Sequence, residues 1–135
     1  MSRRRSRLEA VEVLYAADVR GTDVADVLEE RSRERQPDAY ALTLVEGVRT
    51  QRGEIDALLG AKSIGWPVAR MSPVDRNVLR VGVFELLGGD VPVAVAIDEA
   101  VEVARHFSGE EAARFVNGVL AAVLADHQGS DAGRS

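Results

Sequence analysis

Apolar residues recur at intervals of three and four positions along almost the whole chain, and no segment alternates apolar with polar residues as a half-buried strand would. Near the start, for example, Leu8, Val11 and Leu14 follow one another at this spacing. Such steps place side chains on one face of an α-helix, where they can pack against neighbouring helices. The sequence therefore predicts an all-α fold, a helical bundle of about seven helices.

Glycine, proline and capping residues divide this pattern into segments. A polar stretch at 31–38 separates a short second helix from a long third one, which could break at Gly53. Residues 60–65 are expected to form a linker. Beyond it, Ser72 followed by Pro73 is typical of a helix start, because serine caps the helix and proline suits its first turn.

The segments fall into two groups. We predict two three-helix subdomains, at about 1–60 and 66–127, packed into a single domain of residues 1–127. The end of the chain, 128–135, is rich in Gly, Ser and Asp, which predicts a disordered tail. In the fifth helix the apolar stripe predicts an inner face of Val93, Ile97, Ala100, Val101 and Ala104.

The composition limits the classes of protein to consider. A chain of 135 residues with 46% hydrophobic content can bury the core of one domain. Because it has no Cys, disulfides, thiolate metal sites and cysteine nucleophiles are excluded. The basic start leads into charged residues instead of a long apolar run, so we expect neither a signal peptide nor a membrane span, and we expect the protein in the cytoplasm.

Positive charge is concentrated at one end of an acidic chain. The formal net charge is -5, yet the first seven positions contain no acid and carry four arginines, Arg3, Arg4, Arg5 and Arg7. Guanidinium groups pair with phosphate through two hydrogen bonds and stack on bases, so this cluster is a candidate nucleic-acid contact. A short basic run can equally be a solubilising terminus, and charge alone does not separate the two.

The start of the first helix has two interpretations. Ser2 could cap it, which would make the arginines part of the helix. Alternatively, Ser6 and Glu9 could form a capping box, which would leave the arginines in a free arm. Both remain open at the level of sequence.

Other candidate binding residues lie in the second half of the chain. Arg76 and Arg80, four apart at the start of a helix that becomes apolar all round, are expected on its exposed strip as a paired basic surface. Asp75 either caps that helix or pairs with Arg76. Phe115 could stack on a base, and Asn117 could satisfy a neighbouring helix or meet a ligand beside that ring.

Residues suited to catalysis are scarce. The two histidines, His106 and His127, stand in a last helical turn and a polar tail, so we expect neither to form a metal site or a base–nucleophile pair. The Gly88–Gly89 pair precedes Asp90, whose charge would repel a phosphate. This glycine pair is typical of a helix C-terminus. We therefore expect no enzymatic activity, no cofactor and no metal.

Several short segments are informative as an ordered set, although none is specific alone. They are the arginine-rich start with Ala10 and Leu14-Tyr15, Leu44-Val45-Glu46-Gly47-Val48, Ile55-Asp56, Val74-Asp75-Arg76, Leu79-Arg80, Phe84-Glu85-Leu86, Asp90-Val91-Pro92, the run from Val95 to Glu102, and Phe115-Val116-Asn117-Gly118-Val119-Leu120. In this order and spacing, from Arg3 to about Leu124, the chain resembles the NusB family of transcription antitermination factors.

This resemblance implies a function as well as a fold. It implies binding of the boxA element of ribosomal RNA leader transcripts, jointly with NusE, a small-subunit ribosomal protein, within an antitermination complex of RNA polymerase. The RNA-binding residues it implies are Arg3, Arg4, Arg5, Arg7, Arg80, Phe115 and Asn117. The partner-binding residues it implies are Asp75, Arg76 and Arg80.

Two alternatives accompany this interpretation. A related helical domain precedes the catalytic domain of some ribosomal RNA cytosine methyltransferases, but this chain lacks the glycine-rich cofactor motif of such an enzyme. The chain could instead be a helical protein-interaction or dimerisation module without RNA binding, since apolar helix faces alone explain much of the pattern. A homodimer could also coexist with RNA binding.

Overall fold

The computed structural model describes residues 2–63 and 65–134, with side chains described up to His127. Within these residues the chain forms six α-helices and one short 3-10 turn, and no strand. The helices are α1 (Arg3–Arg20), α2 (Val24–Ser32), α3 (Ala39–Lys62), α4 (Pro73–Gly88), α5 (Val93–Ser108) and α6 (Glu110–Arg134), with the 3-10 turn at Val68–Arg70. The all-α prediction is confirmed.

Local signals set most of the helix ends. The Ser2 hydroxyl accepts a hydrogen bond from the backbone N–H of Arg5 at 3.2 Å, so the arginines belong to α1 and do not form a free arm. Gly21 ends α1 in the left-handed conformation, with φ of 69°. The Ser72 hydroxyl caps α4 by accepting from the N–H of Asp75, as its sequence indicated.

The long helix α3 differs from its prediction at two places. It runs unbroken through Gly53 and continues to Lys62, into the segment expected to be a linker. Its end is stabilised by Ser63, whose hydroxyl contacts the carbonyl oxygens of Leu59 and Trp66, each at 2.7 Å. A solvent-exposed glycine lowers helix propensity by only about 1 kcal/mol, which the packing of the flanking residues offsets.

The centre of the bundle is α4, which packs against α1 and α3 on one side and against α5 and α6 on the other. Its buried residues run almost without interruption from Asn77 to Leu86. One apolar core therefore extends through all six described helices. The range of α6 extends to Arg134, side chains beyond His127 lie outside the described part, and the disordered tail expected at 128–135 stays a prediction.

The predicted inner face of α5 is confirmed at four of its five positions, since Ala100 and Ala104 are buried and Ile97 and Val101 pack against the core while partly buried. The buried residues of α5 are Ala96, Ala100, Val103 and Ala104, whereas Val93 remains 39% exposed. The apolar arc of α5 is wide, so several faces could have pointed inwards, and packing between α4 and α6 selected the face with the most alanine. None of the helices in the described residues combines the length and apolar character needed to cross a bilayer.

Candidate nucleic-acid interface

The arginine end of α1 lies against the start of α3. Ser6 donates from its hydroxyl to the carboxylate of Asp38, the residue that caps α3. Glu9 accepts a hydrogen bond from the backbone N–H of Asp38 at 2.9 Å. Ser6 and Glu9 therefore join two helices and do not form the capping box that was one interpretation of the sequence. This contact fixes the direction in which the first turns of α1 point.

Of the four arginines, Arg7 is buried. It is only 4% exposed, and its Nε and Nη2 donate to the two carboxylate oxygens of Glu85 at 2.6 and 2.8 Å. Burial lowers the pKa of Arg7, but the hydrogen bonds and charge of Glu85 outweigh that effect, and the net pKa is raised. The donors of Arg7 are therefore used inside the protein, and its RNA contact stays a prediction that this burial does not favour.

Tyr40, at the start of α3, joins the same cluster. Its hydroxyl donates to Glu85 at 2.5 Å, and the guanidinium carbon of Arg3 lies 4.2 Å from its ring centroid. Burial and the neighbouring Glu85 carboxylate raise the pKa of Tyr40 to about 12. The sequence reasoning missed this residue, because a tyrosine 37 positions from Arg3 carries no local signal; only the packing of α1 on α3 brings them together.

The three remaining arginines of the cluster are exposed but not equivalent. Arg4 donates through Nε and Nη2 to both carboxylate oxygens of Glu99 on α5, at 3.0 Å each. The hydrogen bond from Arg4 lowers the pKa of Glu99. Among the described residues, neither Arg3 nor Arg5 forms an ion pair through its side chain. Arg3 and Arg5 are thus the arginines of this end whose charge no carboxylate in the described part of the chain neutralises.

Arg80 was predicted on an exposed strip, but it is 3% exposed. Its Nε and Nη2 donate to Asp56 on α3 at 2.8 and 3.0 Å, and its Nη1 donates to Asp18 on α1 at 3.2 Å. The exposed position predicted for Arg80 is therefore wrong, and its role as an RNA or partner contact stays a prediction that this burial does not favour. A guanidinium at this depth is stable only because two carboxylates surround it.

Arg76 belongs to the same internal network. Its Nε and Nη2 donate to the two oxygens of Asp18 at 2.6 and 2.5 Å, so it pairs with α1 and forms no basic surface with Arg80. Asn77 also donates to Asp18, at 2.9 Å. Although partial burial raises the pKa of Asp18, these hydrogen bonds and the two guanidinium charges lower it to about 2. The network joins α1, α3 and α4.

Asp75 and Phe115 line one groove of about 680 Å³ between the start of α4 and the start of α6. Asp75 does not pair with Arg76, and its Oδ1 is buried without a hydrogen-bond partner among the described groups. Asn117 is exposed and lies two positions from Phe115, about 200° around the helix, so the two side chains point to opposite sides. The remaining residues of the groove are Trp66, Ser72, Ser108, Glu111 and Ala112.

The structure thus sorts the predicted site residues into four places. Arg3, Arg4 and Arg5 lie together at the exposed end of α1. Arg7 and Arg80 are buried and Arg76 is partly buried, and carboxylates pair with all three. Asp75 and Phe115 share the groove, and Asn117 lies apart on α6.

The fold and this surface define a small all-helical protein with a basic helix end on an acidic body. Residues 4–125 match the NusB family, and the chain belongs to that family. The resemblance seen in the sequence is therefore confirmed over nearly the whole chain.

Relatives of known name support this assignment. The transcription antitermination protein NusB of Saccharopolyspora erythraea is 51% identical over 124 residues, which cover 88% of this chain and 84% of the relative. The protein of the same name from Rubrobacter xylanophilus is 47% identical over 122 residues, covering 89% of this chain and 88% of the relative.

Solved structures show the same architecture. NusB of T. maritima superposes with a TM-score of 0.81 at 34% identity, covering 93% of this chain and 92% of that one. A complex described as antitermination factors NusB and NusE with double-stranded RNA contains a chain with a TM-score of 0.79 at 30% identity, covering 93% of this chain and 99% of that one.

Proposed function

We propose that this protein is a transcription antitermination factor that binds RNA together with NusE, and that its RNA target is the boxA element of ribosomal RNA leader transcripts. It would act in the cytoplasm, as part of an antitermination complex of RNA polymerase. The observation that carries the proposal is family membership over residues 4–125, combined with the exposed arginines at the start of α1.

The charge distribution supports RNA as the ligand of this end. Arg3 and Arg5 are exposed, and among the described residues neither has a carboxylate partner, so their charge is available for phosphate. Elsewhere on the described surface most arginines are neutralised by ion pairs, as Arg33 is by Glu29. A phosphate backbone would therefore find its strongest attraction at this end.

The groove supports a protein partner at a second place. It contains the carboxylates of Asp75 and Glu111 beside the aromatic rings of Trp66 and Phe115. Carboxylates repel phosphate, whereas a basic or aromatic side chain of a protein would fit them. We propose that NusE covers this groove, which retains Asp75 as a partner-binding residue.

Binding of labelled single-stranded RNA carrying boxA, with and without NusE, across a salt series tests the proposal. We expect tighter binding with NusE. The double variant Arg3→Gln/Arg5→Gln should raise the Kd about tenfold and reduce the magnitude of the salt slope by about 1.4, because two phosphate contacts are lost. The matched control, Arg33→Gln/Arg52→Gln, removes the same charge from α2 and α3 and should change the Kd less than about twofold.

Two outcomes would contradict the proposal. If the chain shows no RNA binding even with NusE, a helical interaction module without RNA binding is the better description. If the control variant weakens RNA binding as much as the Arg3/Arg5 variant does, the arginine end is not the RNA site. RNA affinity would then depend only on the net charge of the protein.

A further inference from the structure

Within the residues that the structure describes, the guanidinium of Arg3 contacts an aromatic ring and no carboxylate. Its central carbon lies 4.2 Å from the centroid of Tyr40, within the distance of a cation–π contact. Such a contact is made through the face of the ring and leaves the charge of the guanidinium in place. Because Arg3 is exposed, its N–H donors remain available for a bidentate contact, with two hydrogen bonds to one phosphate.

The neighbouring arginines use the same donors inside the protein. Arg4 places Nε and Nη2 on the two oxygens of Glu99, and Arg7 places the same two nitrogens on Glu85. A phosphate that bound either arginine in the same way would first have to displace a carboxylate. Arg3 needs no such exchange.

Tyr40 is itself fixed in position. Its hydroxyl donates to Glu85, which Arg7 holds from the other side by two hydrogen bonds. Because the pKa of Tyr40 is raised to about 12, that hydroxyl stays protonated well above neutral pH. The ring beneath Arg3 is therefore a rigid support that joins α1, α3 and α4.

We propose that Tyr40 is a positioning residue that holds Arg3 ready to bind an RNA phosphate, and that Arg3 contributes more to RNA affinity than Arg4 does. This inference rests on the proposed RNA-binding function. It adds a residue from α3 to a surface otherwise formed by the start of α1. It also gives the buried Arg7–Glu85 pair a role, since the pair fixes the ring on which Arg3 lies.

A double-mutant cycle of Arg3→Gln and Tyr40→Leu tests the inference, with Kd measured for the boxA RNA in the presence of NusE. Tyr40→Leu should raise the Kd about three- to fivefold, because the cation–π support is lost. In the Arg3→Gln background the same change should have little further effect, because a positioning residue acts only through the group it positions. Tyr40→Phe keeps the ring beneath Arg3 but loses the hydroxyl bond to Glu85, so it should weaken binding less than Tyr40→Leu does.

Single substitutions of Arg3 and Arg4 test the inference independently, since both side chains are exposed and neither substitution disturbs the core. Arg3→Lys keeps the charge but loses the planar fork, and should raise the Kd about threefold. Arg4→Gln should raise it less than Arg3→Gln does, because Glu99 already neutralises Arg4. Far-ultraviolet circular dichroism and unfolding midpoints confirm that each variant is folded.

The outcomes separate this inference from the proposed function. If RNA binds normally but Tyr40→Leu has no effect, or weakens binding equally with and without Arg3, Tyr40 does not act through Arg3 and the inference is overturned. The same follows if Arg4→Gln weakens RNA binding as much as Arg3→Gln does. If the unchanged protein binds no RNA with NusE, the proposed function fails and this inference fails with it.

Discussion

At the scale of the residue, the protein uses arginine in two opposite ways. Arg7 and Arg80 are at most 4% exposed, and carboxylates surround both of them. Arg3 and Arg5 are exposed and, among the described groups, have no ion pair. The difference has an energetic cause, because a buried charge must be paired, whereas an exposed one is hydrated and can exchange water for a ligand.

The buried pair of Arg7 and Glu85 leads to a prediction on stability. Arg7→Met should lower the free energy of unfolding by about 3 to 5 kcal/mol, because it leaves the Glu85 carboxylate buried without its cation. The double variant Arg7→Met/Glu85→Met should recover much of that loss. Urea unfolding measures both. A single variant as stable as the original chain would show that the pair is not buried as described.

At the scale of the element, close packing of α3 on α4 depends on one glycine. A Cβ built on Gly47 would lie 2.1 Å from Cε1 of Phe84, closer than two non-bonded carbon atoms can approach. Glycine has a low helix propensity, but at this position its missing side chain leaves the space that the Phe84 ring occupies. Gly53, on the same helix, has no neighbouring atom within 4 Å of such a Cβ.

These two glycines of α3 form a matched pair of substitutions. Gly47→Ala should destabilise the protein by about 1 to 3 kcal/mol, because the Phe84 ring must move out of its position. Gly53→Ala should stabilise it by about 0.5 to 1 kcal/mol, because alanine favours the helix and meets no neighbour. Thermal or urea unfolding compares them. Equal effects of the two changes would contradict the close approach of α3 and α4.

At the scale of the whole molecule, polar networks connect helices that the core alone would leave free to shift. Asp18 on α1 accepts hydrogen bonds from Arg76, Asn77 and Arg80, all on α4. Arg80 then continues to Asp56 on α3. Directional bonds of this kind specify one arrangement of the helices, which apolar contacts by themselves specify less strictly.

This network predicts a loss of stability in acid. The folded pKa of Asp18 is about 2, below its ordinary value of 3.8, so its contribution is present above about pH 4 and is lost as the pH falls towards 2. That contribution is at most about 2 kcal/mol, reduced by solvent screening. Asp18→Asn should show a smaller drop in unfolding free energy between pH 5 and about pH 2.5 than the original chain. Identical pH dependence in the two proteins would exclude Asp18 as a source.

The sequence alone determined the helical class and most helix ends, because residue spacing and local signals such as the Ser72 cap and Gly21 act within a few positions of the chain. It also located the arginine end of α1. Only the tertiary structure decided which arginines are exposed, since Arg7 meets a carboxylate 78 positions away and Arg80 meets one 62 positions away. Side-chain burial and ion pairing depend on how helices distant in sequence pack against one another, and local sequence patterns do not specify that packing.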